Sequence, residues 1–112
     1  MQTPSENCKA LDREAAMELL GIDRQSLETL IVLFSKELGE WTDFFTTVVG
    51  GDTNTIKSKA HRLKSDAANV GAMRVSRAAA ALEAACVRDA DAVEPCRAAL
   101  VSALWELHEE LV

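Results

Sequence analysis

From Leu27 to Val48 the apolar residues return at steps of three and four: Leu27, Leu30, Ile31, Phe34, Leu38, Trp41, Phe45 and Val48. That spacing draws one stripe along an α-helix, whereas a strand alternates its faces at every second residue. A helix this long and this one-sided must bury its stripe against other helices, and the flanking sequence supplies them. A short segment, Leu11 to Leu20, carries Leu11, Ala15 and Leu19 and stops at Gly21. The long segment, Arg24 to Val49, ends at Gly50-Gly51, and Asp52 or Thr53 can cap the next helix. Thr53 to Val70 holds Ile56, Ala60, Leu63, Ala67 and Val70 on one face, and Gly71 breaks it. Ala72 to Val87 is alanine-rich from Ala78 to Ala81, which lets a neighbouring helix approach closely. Asp89 and Asp91 form the next turn. The last helix runs from about Val93 to Leu111, with Leu100, Leu104, Leu107 and Leu111 as its apolar stripe and Pro95 in its first turn.

Short connections make sequential helices antiparallel neighbours. The expected fold is therefore all-α, an antiparallel four-helix bundle with a short N-terminal helix attached. It forms one domain over the 112 residues, with residues 1–9 a loose arm because Pro4 and Ser5 oppose helix. The chain is 48% hydrophobic, which excludes disorder, and its apolar residues are mainly Ala, Leu and Val. Leu30 to Phe34 is the longest wholly apolar run of the long helix, far short of a membrane span. Met1 to Glu6 has neither the basic start nor the apolar core of a secretory signal. Cys8, Cys86 and Cys96 are odd in number and irregularly spaced, which fits a cytoplasmic protein and supplies no metal framework.

The net charge is −6, but the charges are unevenly placed. From Lys57 to Arg77 there are six bases (Lys57, Lys59, Arg62, Lys64, Arg74, Arg77) against one acid, Asp66, so this window is +5 and the remainder −11. So acidic a chain is a poor general nucleic-acid binder, whereas one basic patch on an acidic body suits an acidic protein surface.

His61 lies inside that window. On a helical wheel the apolar positions of its helix centre about 140° away, so its imidazole points to water. Lys57 and Lys64 flank it one turn before and after, and Ser65 and Ala68, close in angle, are small. The turn at Gly71 then brings in a partner. His61 stands ten residues before Gly71 and Glu83 twelve after it, which places the two within about 3 Å of the same level in an antiparallel pair. Glu83 is also the only acid between Asp66 and Asp89. A carboxylate there accepts a hydrogen bond from Nδ1–H of His61 and leaves Nε2 as a nucleophile. The lysines stabilise the spreading negative charge of phosphoryl transfer, while Glu83 fixes the ring. Asp66 falls on the far flank from Lys64, four residues after Arg62 and close in angle to Lys59, so both bases are placed to neutralise it.

The run His61-Arg62-Leu63-Lys64-Ser65-Asp66-Ala67-Ala68-Asn69-Val70-Gly71-Ala72 resembles the signature of histidine-containing phosphotransfer (HPt) domains. That pattern is roughly His, any residue, Leu, Lys, then small residues, three variable positions and Gly-Ala. Leu82-Glu83 falls where such domains often carry Leu-Glu or a Gln in place of the Glu. The opening Leu11-Asp12-Arg13-Glu14-Ala15 and the long second helix look similar too, so the resemblance spans nearly the whole chain. Two positions depart from the pattern: Ser65 replaces the usual Gly, and Asp66 puts a charge where the family tends to be neutral. Both bear on affinity and partner choice.

The resemblance implies that His61 takes a phosphoryl group from a receiver-domain aspartate or a sensor histidine kinase and passes it to another receiver aspartate. It also implies docking through Lys57, Arg62, Ser65, Ala68 and Gly71. No Gly-rich phosphate loop is present, so ATP-dependent kinase activity is not expected; the chain is a carrier. No cofactor is expected on it, any Mg²⁺ belonging to the acidic receiver. A monomer is expected, without nucleic-acid or membrane partners. The rival class is an adaptor bundle that docks an acidic partner through the same basic patch, with His61 incidental. A metal-binding bundle fares poorly, because His61 and His108 are the only histidines and no paired Glu-x-x-His motif exists. His108, four residues after Leu104, is expected to be partly packed, and Cys86, four after Leu82, to belong to the core.

Overall fold

The computed structural model describes residues 10–48 and 52–111. Five helices follow in order: α1 (Arg13–Leu20), α2 (Arg24–Thr47), α3 (Thr53–Asn69), α4 (Met73–Arg88) and α5 (Ala90–Leu111), with no strand among the described residues. The starts of the first three are set by aspartate caps. Asp12 accepts from the Ala15 N–H at 3.1 Å, Asp23 from the Ser26 N–H at 2.8 Å and Asp52 from the Asn54 N–H at 3.2 Å. Each carboxylate satisfies a donor that has no partner within the helix and complements the helix dipole. Gly21 ends α1 in the left-handed conformation, at φ 65°.

Three boundaries differ from those expected. Helix α1 begins at Arg13, so Leu11 is buried ahead of it, Ala16 becomes the buried helical position and Leu19 is left 64% exposed. Helix α2 stops at Thr47, before Gly50-Gly51, which lies outside the described residues, as does the N-terminal arm 1–9. Helix α5 begins three residues earlier than expected. Asp89 alone connects it to α4 and accepts from the Asp91 N–H at 3.1 Å. Asp91 is thus in the first helical turn, and Pro95 stands in the second, at an exposed site. Its missing N–H leaves one carbonyl without its helical donor.

Helices α3 and α4 make the closest pairing, followed by α4 with α5 and then α5 with α2, while α1 lies across α2 and α3. The buried alanines Ala60, Ala67 and Ala79 allow the α3–α4 approach. Between α2 and α3 the gap is wider, because Trp41 and Phe44 of α2 and Lys59 and Arg62 of α3 fill it: the Lys59 ammonium lies 5.9 Å and 5.6 Å from the two ring centroids and the Arg62 guanidinium 5.8 Å from that of Trp41. The core is built from the stripes read in the sequence, with Leu27, Phe45, Leu63, Leu82, Leu100 and Leu104 fully enclosed. Truncating such a leucine to alanine costs about 2–5 kcal/mol. Cys86 and Cys96 pack half-buried against this core, and burial pushes the Cys86 thiol up.

The α3–α4 turn is closed by Gly71 at φ 82°. A Cβ there would stand 2.2 Å from the Asp12 carbonyl oxygen, and the Gly71 carbonyl itself accepts from the Asp12 N–H at 2.7 Å. Gly71 is therefore buried under the start of α1. This corrects its place on the expected docking face: it makes the hairpin and seats α1. At the other end of the bundle, Arg97 of α5 donates to the Phe45 carbonyl of α2 at 2.7 Å while gripping Glu94.

Candidate functional site

His61 projects from the middle of α3, its side chain 63% exposed. Its Nδ1 lies 2.6 Å from Oε2 of Glu83 on α4. The level counted across the Gly71 turn is the observed one. The other oxygen of Glu83 accepts from Lys64 Nζ at 2.7 Å, so one half-buried carboxylate holds both the imidazole and the ammonium. The hydrogen bond from Lys64 is the main reason the Glu83 carboxyl titrates below the usual carboxylate range, with burial opposing and His61 adding to the effect. Glu83 is thus ionised and can only accept. The proton between it and His61 therefore belongs to Nδ1, so that in a neutral ring the lone pair is on Nε2.

The expected site residues fall into three groups. Lys64 is beside His61 through their shared carboxylate, which makes its role more indirect than expected: it faces Glu83. Lys57 and Ser65 are exposed and Ala68 is half-buried on the same side of α3, leaving the imidazole unobstructed. Arg62 turns toward α2, lying over Trp41 and pairing loosely with Asp66 at 3.7 Å. Lys59, expected to help neutralise Asp66, goes to the aromatic rings instead. Arg74 bonds to Glu106 of α5 at 2.5 Å. The basic window is therefore not one patch. Its members are dispersed over the α4, α2 and α5 sides of the bundle, because a helix turns consecutive bases to different faces.

Two further residues shape this region: Trp41, expected only as part of the α2 stripe, and Ser76 of α4, which was not expected at the site. Trp41 is buried, its indole Nε1 without a hydrogen-bond partner among the described residues, and forms the wall behind Lys59 and Arg62. Ser76 is buried in α4 and donates to the Lys64 carbonyl at 2.9 Å. Its signal in the sequence is a lone hydroxyl on a stripe otherwise made of alanine and aliphatic residues. On the α2 side of α3, an open groove of about 670 Å³ is lined by Leu20, Leu30, Leu33 and Phe34, with Arg62 and Asp66 on its rim. No group of three or more candidate metal ligands occurs among the described residues, and no described helix is long and apolar enough to cross a membrane.

A helical bundle with an exposed histidine oriented by a carboxylate from the adjacent helix suits histidine phosphotransfer. The chain matches the Hpt domain family over residues 13–112, nearly its whole length, and belongs to that family, whose fold is a helical bundle and whose activity is histidine phosphotransfer in phosphorelays. No curated protein and no solved structure matches it.

Proposed function

We propose that the chain is a phosphorelay carrier in which His61 Nε2 accepts a phosphoryl group from a receiver-domain aspartyl phosphate, or from a sensor histidine kinase, and returns it to another receiver aspartate. The observation that carries this proposal is the 2.6 Å contact between Glu83 and Nδ1 of an imidazole whose side chain is largely exposed. In the forward step the Nε2 lone pair forms the N–P bond as the P–O bond to the aspartate breaks, and the aspartate leaves as a carboxylate. No proton needs to move. The ring, still protonated at Nδ1, becomes cationic, and the Glu83 carboxylate offsets that charge at hydrogen-bonding distance. The reverse step restores the neutral ring.

Lys64 acts in this scheme by keeping Glu83 ionised and in place, and by lowering the negative charge a phosphoryl group meets. Lys57, Ser65 and Ala68 form the landing surface next to His61, and the apolar groove beside Arg62 and Asp66 takes part in docking. The chain brings no phosphate loop, so the phosphoryl group and any Mg²⁺ come with the partner. It acts as a monomer in the cytoplasm.

The test is incubation with a panel of phosphorylated receivers. The expected product is an acid-labile, alkali-stable label on the peptide that contains His61. Acid-stable label, or label on another peptide, overturns the proposal.

A further inference from the structure

Helix α4 is attached to Lys64 at two points. Glu83 binds its ammonium at 2.7 Å, and the Ser76 hydroxyl binds its main-chain carbonyl at 2.9 Å. Ser76 and Glu83 are seven residues apart, two helical turns, and so belong to one stripe of α4 separated by about 10.5 Å. The positions between them on that stripe are Ala79 and Ala80. Methyl groups set how near two helices lie, but they are too small to interlock and resist sliding, which is what larger ridges do in helix packing. The tight turn at Gly71 sets the register of the two helices to the nearest residue, and directional bonds fix the remaining fraction of a rise at this level. One of them, from Glu83 to Lys64, ends on a flexible four-carbon stem. The other, from Ser76, ends on rigid backbone and is shielded from water, Ser76 being 8% exposed. Leaving a buried hydroxyl unpaired is costly, which adds to the preference for this register.

We propose that Ser76 is a positioning residue for His61: its hydroxyl bond to the Lys64 carbonyl holds α4 in the register that brings Glu83 to His61 Nδ1. A slip of α4 by even a fraction of a helical rise lengthens the 2.6 Å contact, and hydrogen bonds weaken steeply with such misplacement. The tautomer of His61 then drifts toward Nε2–H, which removes the lone pair from the nitrogen that faces solvent. The consequence for phosphoryl transfer rests on the function proposed above. The consequence for the tautomer does not.

The experiment compares wild type, Ser76→Ala and Ser76→Thr by nitrogen NMR of the imidazole at alkaline pH, where a histidine ring is neutral. Phosphoryl transfer is measured in parallel over a range of receiver concentrations. Ser76→Ala is expected to lower the Nδ1–H to Nε2–H ratio about fivefold, the worth of one net hydrogen bond, and to slow transfer by a similar factor without changing the half-saturating receiver concentration. Ser76→Thr, which keeps the hydroxyl, restores both. In a Glu83→Gln background Ser76→Ala adds no further loss, because Ser76 acts only through Glu83. An unchanged tautomer ratio in a folded Ser76→Ala overturns the proposal, and so does an equal further loss of transfer in the Glu83→Gln background. If Ser76→Ala loses helicity, Ser76→Cys, of the same shape but a weaker donor, is read in its place with the same two outcomes. Absence of transfer in wild type together with the tautomer shift would defeat the proposed function and leave the positioning role intact.

Discussion

The two histidines of this chain sit on different helices and are bonded through opposite nitrogens. His61, on α3, is held at Nδ1 by Glu83 and presents Nε2 to solvent. His108, on α5, is half-buried with Nε2 3.1 Å from the Thr42 hydroxyl and its ring 5.2 Å from that of Trp105. Thr42 spends its single proton on the Leu38 carbonyl at 2.8 Å, so at His108 it is the acceptor and Nε2–H the donor. The nitrogen that is free in His61 is thus consumed as a cross-link between α2 and α5 in His108. The two rings differ in which nitrogen the fold occupies as well as in exposure.

The largest test of this contrast is a pair of substitutions. His61→Gln should abolish phosphoryl acceptance while melting like wild type, because an exposed side chain is replaced by one of similar size. His108→Gln should leave acceptance unchanged and lower stability by about 0.5–1.5 kcal/mol, the net worth of the Thr42 bond. Receiver-to-protein label transfer and thermal melts separate the two. Label retained on His61→Gln would break the comparison.

Glu83→Gln comes next. An amide keeps the shape but cannot offset a cationic ring, and its NH₂ group competes for Nδ1. Acceptance should slow about ten- to a hundredfold, less than the loss of a proton-transferring group, since Glu83 orients and does not exchange the proton. The pH dependence has a definite sign. A carboxyl held below its usual value of 4.5 stabilises the fold fully above that pH and stops doing so as the pH falls through the lowered value. The Glu83 carboxyl resonance should therefore titrate below 4.5 in wild type. In Lys64→Ala its midpoint should move upward, because Lys64 is the main cause of the shift. A midpoint that stays put would remove Lys64 from the role assigned to it.

Smaller effects are expected at the edges of the two regions. Thr42→Val should free His108 Nε2 at a cost of about 1 kcal/mol in stability, with transfer untouched. Phosphoryl label appearing at His108 in that variant would show that the cross-link alone had silenced it. Asp66→Ser should be the mildest. Its 3.7 Å pair with Arg62 is exposed and worth only about 0.3–0.5 kcal/mol, so melting is unchanged. Its effect should be confined to which receivers are preferred, since a carboxylate at the groove rim favours partners with a facing base. A uniform loss with every receiver would place Asp66 in the reaction site.

Much of this was written locally. Periodicity alone located the long helices and most of the core, and it put His61 on the face away from that core. The His61–Glu83 pairing was also legible, because two helices joined by a tight turn at Gly71 have a register that can be counted from residue numbers. Pairing across sequence-distant helices cannot be counted in this way. That Thr42 meets His108, that Arg97 reaches the end of α2, and that Lys59 and Arg62 lie on Trp41 depend on how each helix is rotated against a neighbour far away in the chain. Which neighbours the six bases meet has the same origin, although their dispersal itself follows from helix geometry. The same holds for Gly71, which is buried because the start of α1 lies over it. Sequence determined which faces are apolar and which residues share a turn, since those follow from bond geometry repeated every 3.6 residues. Tertiary structure decided which polar atoms spend their hydrogen bonds on one another. That choice gave Lys64 to Glu83 and left Nε2 of His61, but not that of His108, without a partner among the described residues.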